Sequence, residues 1–289
     1  MGKITYTSNG VYPGQKLKGK DRYKKLYHFT SFDTFVRIWL TKQLKYGHVF
    51  NVNDMLEADH SVSVPRPDQM AVIYAYNDIR ASYKQISFAM DYDSYMKGCM
   101  SPMMWGQYAD KRKGVCIELD FDKLNIPKYC YAKPVKYKTL LNKSTILDSD
   151  ITTIKQIRHY IKQHKDDIFF TKQKCWSEEN EYRIVNDRDD FLDIDGAVSA
   201  VYLTSYNSLE CRLVEKLVGE TAPVEYIHHI PTYANKALPV LTSTQIMREQ
   251  IDRATNNPNN LSATWSKQAK EFYERNKHDE NASLLLNLQ

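Results

Sequence analysis

The irregular order of strand-like and helix-like segments is the feature that most limits the fold of this chain. Short apolar runs, such as residues 85–90 and 114–120, are interspersed with patterns of helical period, such as residues 32–40. The two kinds of segment do not follow the regular βαβ alternation of a doubly wound sheet. The pattern therefore predicts an α+β fold.

The predicted elements suggest three parts of unequal size. Residues 1–22 are polar and rich in glycine and are expected to form an N-terminal arm, and residues 23–242 carry the strands and helices of one domain. Residues 243–289 are predicted to form a C-terminal helical extension. The longest helix is expected over residues 150–172, with its lysines on a solvated outer face.

The composition predicts a globular, cytoplasmic protein. Hydrophobic residues make up 42% and charged residues 26%, which is enough to bury a sizeable core. The net charge of +5 is lower than expected of a dedicated nucleic-acid binder but permits an anionic ligand. The 5 cysteines are widely spaced without a C-x-x-C pair, which argues against a disulfide framework or a zinc site. We expect no signal peptide and no membrane span.

Two carboxylates form the most informative local pattern. Glu179 and Glu181 lie two residues apart at the mouth of a predicted strand, so alternation would point both into one cleft with Trp176 close by. Two adjacent carboxylates repel each other, and a chain tends to keep such a pair where its charge has a role. The alternative is a solvated edge strand with its charges facing outward.

Three other segments carry candidate site residues. His28 ends a strand that leads directly into a helix capped by Thr30 and Ser31, where its ring could hydrogen-bond a ligand hydroxyl or be satisfied within the core. Ser87 is a polar residue inside an apolar strand. Trp105 and Tyr108 share a helix face, and we expect Trp105 to pack in the core while Tyr108 reaches a cleft.

In order, these segments resemble a bacterial family known only as a domain of unknown function. The chain has LYHFTS, SF, MWGQYAD-x-x-x-GVCIEL, W-S-x-E-x-EYRIV and AVYLTS. The usual family forms are LYHYTS, CFS, MWxxYAxxxxGxCxEF, WxxExEWRI and IxxIYLG. The resemblance covers about residues 24–242, with Thr204 in place of the usual glycine and Tyr182 in place of the commoner tryptophan.

That family is in turn similar to the ADP-ribosyltransferase superfamily, which implies a split antiparallel β-sandwich with surrounding helices and a cleft for NAD. The resemblance assigns catalytic roles to His28, Glu179 and Glu181. It implies that His28 and Ser87 hold the ribose, that Glu181 orients its 2′-hydroxyl, and that Glu179 activates an acceptor. Further NAD-binding candidates are Tyr27, Thr30, Ser31, Tyr108 and Trp176. The substrate would be NAD, and no metal is required.

The resemblance implies an NAD-dependent ADP-ribosyltransferase or NAD glycohydrolase. Its acceptor would be an intracellular protein or nucleic acid, and by analogy the protein would act as a toxin or phage-defence effector. An inactive nucleotide-binding or nucleic-acid-binding sensor on the same fold is the alternative. The apolar stripe of the C-terminal helix is expected to pack on its own domain, with a second copy or an antitoxin-like partner as alternatives.

Overall fold

The computed structural model describes residues 23–54, 62–64, 70–92, 97–139, 145–147, 150–204, 209–231 and 237–243. The chain divides into two compact units, Met1–Leu241 and Thr242–Gln289. The predicted arm (1–22) and all of the predicted extension (243–289) except Ser243 lie outside the described residues.

Local sequence signals place the helices. Ser31 caps the first helix by accepting a hydrogen bond from the main-chain nitrogen of Thr34, and Pro102 occupies the first turn of the third, where its missing N–H costs nothing. The described α-helices are α1 (Phe32–Thr41), α2 (Met70–Ala81), α3 (Pro102–Tyr108), α4 (Ile154–Gln163), α5 (Lys165–Phe169) and α6 (Leu209–Val218). No helix in this part of the chain has the length and apolarity needed to cross a membrane.

The strands are short and mostly apolar. They are β1 (Lys25–Thr30), β2 (Gln43–Lys45), β3 (Gly47–His48), β4 (Val62–Ser63), β5 (Lys84–Ala89), β6 (Val115–Asp120), β7 (Tyr131–Pro134), β8 (Lys136–Lys138), β9 (Thr145–Ile146), β10 (Thr171–Gln173), β11 (Glu181–Asn186), β12 (Phe191–Asp193), β13 (Val198–Leu203), β14 (Val224–Pro231) and β15 (Ala237–Ser243). The sequence also predicts a strand near residues 46–52, and β3 is the strand that forms within that range.

Nine strands form one large mixed sheet. Its order is β15-β14-β13-β6-β1-β5-β11-β7, and β3 also pairs with β5. The β13–β14 pair is parallel, whereas β1, β5, β6, β7 and β11 pair antiparallel with their neighbours. This arrangement confirms the α+β class, and the split-sandwich geometry stays a prediction.

The sheet opens between β1 and β5. These strands pair only at Tyr27 and Ala89, whereas β1 pairs with β6 at six positions and β5 pairs with β11 at six. Backbone groups that leave a ladder need other partners, and the separation creates a gap that side chains can line. The functional site described below lies in this gap.

Alternating residues of the sheet are buried on both faces. On β1, Leu26 packs in one apolar cluster with Ile117 and Ile184, whereas Tyr27 and Phe29 pack in a second cluster on the opposite side. Trp105 lies in the second cluster, 2% exposed, and its indole nitrogen donates to the main-chain oxygen of Cys99. The expected core role of Trp105 is therefore confirmed.

The prediction of one long helix over residues 150–172 is wrong. The segment folds as α4, ends at His164, continues as the short helix α5 and then extends into β10. Phe169 and Phe170 are buried, so this stretch turns inward instead of continuing a solvated face. Lys172 is consequently a buried strand residue.

Gly114 provides a test of close packing beside the start of α1. A Cβ at this position would collide with the main-chain oxygen of Thr30 and with the main chain of Ala109. We expect Gly114→Ala to lower the free energy of unfolding by about 1 to 3 kcal/mol, because neither backbone can yield easily. Urea unfolding followed by circular dichroism measures the change.

Gly106→Ala is the matched control for that experiment. A Cβ at Gly106, within α3, meets no atom within 4 Å. Alanine is the better helix former, so this variant should be unchanged or up to about 1 kcal/mol more stable. Equal stability of the two variants would contradict the packing described for Gly114.

Candidate functional site

A cavity of about 250 Å³ lies where β1 and β5 separate. Residues from eight elements and a turn line it, so it brings together residues that are distant in the sequence. The polar and charged residues among them that matter below are His28, Ser87, Tyr108, Lys172, Glu179 and Glu181. The two predicted carboxylates therefore do face one cavity.

A left-handed turn at Asn180, not strand alternation, brings the carboxylates together. Glu179 ends a 3₁₀ helix (Lys174–Glu179), and Glu181 begins β11. Asn180 between them has φ 45° and ψ 54°, a conformation that asparagine tolerates better than most residues. Its side-chain nitrogen donates to the main-chain oxygens of Met90 and Asp91, each at 3.0 Å, which fixes the turn.

Glu181 is held by two cations. Arg183 Nε donates to Oε1 at 2.7 Å and Arg183 Nη2 donates to Oε2 at 2.8 Å, while Lys172 Nζ lies 3.0 Å from Oε2. Burial would raise the pKa of Glu181, but the charges of Arg183 and Lys172, together with hydrogen bonds from Arg183 and Ser87, lower it well below its usual range. Glu181 is therefore an anion at neutral pH.

Ser87 is the exposed polar group next to this carboxylate. Its neighbours on β5 are buried, but Ser87 itself is exposed and lines the cavity. A carboxylate offers about four acceptor positions, and at Glu181 Arg183 and Lys172 take three of them. The remaining position borders the Ser87 hydroxyl, which helps to lower the pKa of Glu181, and it is the position open to a ligand hydroxyl.

Glu179 experiences a different environment. Lys172 Nζ donates to its Oε2 at 2.6 Å, and the Tyr108 hydroxyl donates to its Oε1. Burial raises the pKa of Glu179, and the adjacent Glu181 charge adds to this effect, although Lys172 opposes it. The two carboxylates thus have pKa values shifted in opposite directions, which is the arrangement typical of a fixed anion beside a proton-exchanging group.

His28 is neutral at physiological pH. Burial lowers its pKa to about 4, although a hydrogen bond to the Ser87 main chain opposes the shift. Its Nδ1 lies 3.3 Å from the main-chain oxygen of Ser87, and because a carbonyl only accepts, Nδ1 is assigned the proton. Nε2 then carries a lone pair able to accept a hydrogen bond from a ligand hydroxyl.

Four other residues that the sequence predicts to bind NAD do not offer their side chains to a ligand in this cavity. Tyr27 borders the cavity, but it is 0% exposed and its ring packs near Tyr202, so no ring face is free to stack on nicotinamide. Thr30 is buried, Ser31 caps α1, and neither is part of the cavity lining. Trp176 also lies outside the lining, with its ring centroid 5.6 Å from Lys172 Nζ.

Lys172 is the site residue that the sequence prediction missed. It bridges both carboxylates and is only 5% exposed. Its strand, β10, pairs in parallel with β8, and the Tyr137 hydroxyl on β8 accepts a hydrogen bond from the Glu181 main-chain nitrogen at 2.9 Å. The buried pair Phe169-Phe170 just before it was the available signal that the chain turns inward there.

Comparison with known proteins finds a recognised segment that contains part of this site, but not His28 or Ser87. Residues 104–184 match the family model described as "Protein of unknown function (DUF2971)". No curated protein matches the chain, and no solved structure matches it. The matched segment contains Tyr108, Lys172, Glu179 and Glu181. It agrees with the expected similarity to a family of unknown function, whereas the ordered motifs and the ADP-ribosyltransferase resemblance stay predictions.

Removing the Lys172 charge should destabilise the protein in a pH-dependent way. Lys172→Met leaves two buried carboxylates with one cation fewer, and we expect a loss of about 3 to 5 kcal/mol in the free energy of unfolding at neutral pH. The pKa of Glu179 then rises further, and protonation relieves the repulsion as pH falls. The loss should therefore be smaller at about pH 5 than at about pH 7.5, measured by urea unfolding.

The control for this experiment is Lys138→Met. Lys138 lies 2.8 Å from Asp167, but these side chains are 49% and 61% exposed, so its removal should cost less than about 1 kcal/mol. Lys172→Arg keeps the charge and should recover part of the loss. Equal stability of Lys172→Met and Lys138→Met would show that the lysine does not neutralise the carboxylate pair.

Proposed function

We propose that this protein cleaves the bond between nicotinamide and ribose in NAD and transfers ADP-ribose to a macromolecule or to water. The observation that carries the proposal is the meeting of His28, Ser87 and Glu181 in one cavity. These residues lie on the neighbouring strands β1, β5 and β11. The chain's resemblance to ADP-ribosyltransferases implies those same three positions.

The cavity suits one end of the dinucleotide. Its volume of about 250 Å³ lies just below the usual range for drug-sized ligands, which is roughly 300–1,000 Å³. It therefore matches a nicotinamide with its ribose better than the whole molecule. Lys45 is exposed and also lines the cavity, where its positive charge would favour the adjoining phosphates.

The polar groups of the cavity divide the tasks of this reaction. When the glycosidic bond breaks, its electron pair leaves with nicotinamide and positive charge develops on the anomeric carbon, which a nearby anion stabilises. Glu181 supplies that anion. His28 Nε2 is placed to accept a hydrogen bond from a ribose hydroxyl and so orient the sugar, and the Ser87 hydroxyl borders the open position of Glu181.

Glu179 is the proposed proton acceptor. Its raised pKa makes it a better base than a carboxylate in water, and the nucleophile that joins the anomeric carbon must lose a proton. Tyr108 and Lys172 hold the carboxylate in place. The acceptor could be a protein, a nucleic acid or water, and the same chemistry would suit a toxin or phage-defence effector.

One observation favours a second function, a binding module without turnover. Arg183 and Lys172 already take three of the about four acceptor positions of Glu181, and they balance the two glutamate charges. A neutralised carboxylate stabilises a developing positive charge less than a free one does. Such a cavity would bind a nucleotide and signal its presence without cleaving it.

Nicotinamide release from NAD separates the two functions. The purified protein, with and without cell extract as a source of acceptor, should release nicotinamide, measured by liquid chromatography. Glu181→Gln keeps the shape but not the charge, and we expect the rate to fall about 100- to 1,000-fold. Calorimetric binding of NAD without any release would instead favour the binding module.

Glu178→Gln is the matched control. Glu178 is the exposed neighbour of Glu179 and does not line the cavity, so the same chemical change there should leave the rate unaltered. Equal loss of rate in Glu178→Gln and Glu181→Gln, or release that survives in Glu181→Gln, would contradict the proposed role of Glu181.

The pH dependence of the reaction should report Glu179 and not His28. With a pKa of about 4, His28 stays neutral through the physiological range. Burial raises the pKa of Glu179, so the rate should fall as pH decreases through that raised value and the base becomes protonated. Glu179→Gln should lower the rate and abolish this acid limb in a pH–rate profile. An unchanged acid limb in that variant would assign the limb to another group.

A further inference from the structure

A second, larger groove adjoins the first cavity. It has a volume of about 500 Å³ and shares with the first cavity the residues Lys45, Gly47, His48 and Asn51. Its remaining lining comes from Tyr46, Lys84, Asp190 and Phe191. A ligand bound in one cavity can therefore continue past the β2–β3 segment into the other.

The strand register determines the chemistry of this groove. β12 pairs with β2 so that Phe191 lies opposite Lys45, and β3 pairs with β5 so that His48 lies opposite Lys84. Cross-strand partners have neighbouring side chains. These two pairings place the Phe191 ring beside Lys45 and the His48 ring beside Lys84.

The groove has a positive balance. Lys84 Nζ lies 2.6 Å from Asp190 Oδ1, and the Lys84 side chain is 16% exposed, so this ion pair holds the lysine at the wall. Lys45 on the same lining is exposed. Two lysines against one aspartate favour an anionic ligand.

Phe191 provides an apolar surface in the same groove. It is 51% exposed, although a large aromatic side chain gains most by burial. A flat exposed ring next to cations is the arrangement with which proteins bind nucleotides, since the ring stacks on a base while the cations contact phosphate.

We propose that this groove binds a nucleotide, with its base stacked on Phe191 and its phosphate between Lys45, His48 and Lys84. Two kinds of ligand would bring such a nucleotide to the groove. It is either the adenylate half of a dinucleotide whose other end occupies the first cavity, or a residue of a single-stranded nucleic acid. The first source rests on the proposed function, whereas the second does not require NAD cleavage.

Calorimetric titration of the full chain with AMP, and separately with a short single-stranded oligothymidylate, tests the groove. We expect Phe191→Ala and Lys45→Ala each to weaken binding about tenfold, consistent with the loss of a stacked base or a phosphate contact. Tyr74→Ala is the control, because Tyr74 is 66% exposed on α2 and does not line either cavity. Using two groove variants guards against one that fails to fold.

The two titrations distinguish a small nucleotide from a nucleic-acid strand. Binding of AMP that both groove variants weaken identifies a small nucleotide, and binding of the oligonucleotide that they weaken identifies a nucleic-acid strand. If wild-type protein binds neither probe, or if the groove variants bind as tightly as Tyr74→Ala, the proposal is wrong. Groove binding of AMP by a protein that releases no nicotinamide would leave this inference standing while the proposed NAD cleavage fails.

Discussion

The buried cluster of Lys172, Glu179, Glu181 and Arg183 is the interaction on which the site depends. All four residues are at most 5% exposed, so each charge has lost most of its water. Such groups are tolerated only when they are paired and hydrogen-bonded. The positive charges of Lys172 and Arg183 balance the negative charges of Glu179 and Glu181. The paired atoms lie 2.6 to 3.0 Å apart, close enough for each cation to neutralise its carboxylate.

This cluster joins the large sheet to the separate two-stranded sheet of β8 and β10. Arg183 and Glu181 come from β11, Lys172 comes from β10, and the Asn180 turn anchors the segment to the end of β5 through main-chain oxygens of Met90 and Asp91. On the other side of the gap, His28 contacts the Ser87 main chain. The opening between β1 and β5 is thus bordered by strands whose side chains and turns are fixed, and the cavity is preorganised.

Much of the fold could be predicted from the sequence, because α6 and the apolar strands have strong local patterns. Residues 209–218 carry apolar side chains at helical spacing, and they form α6. The carboxylate pair could be recognised as one site because the two residues are so close in sequence. Lys172 could not, since a lysine-rich helical pattern concealed the break at His164 and nothing local shows that a lysine is to be paired with acids seven and nine residues later. Tertiary contacts override local periodicity there.

The difference between an enzyme and a binding module comes down to what a ligand reaches at Glu181. Arg183 and Lys172 are buried and take three acceptor positions of this carboxylate, whereas Ser87 is exposed to the cavity beside the remaining position and its hydroxyl can rotate. A ribose hydroxyl that bonds directly to Glu181 places the sugar on the carboxylate. One that bonds only to Ser87 stays a layer away, where the balanced charges of the cluster act on it weakly. Under the proposed function, cleavage therefore requires the ligand to pass Ser87 and bond to Glu181 itself.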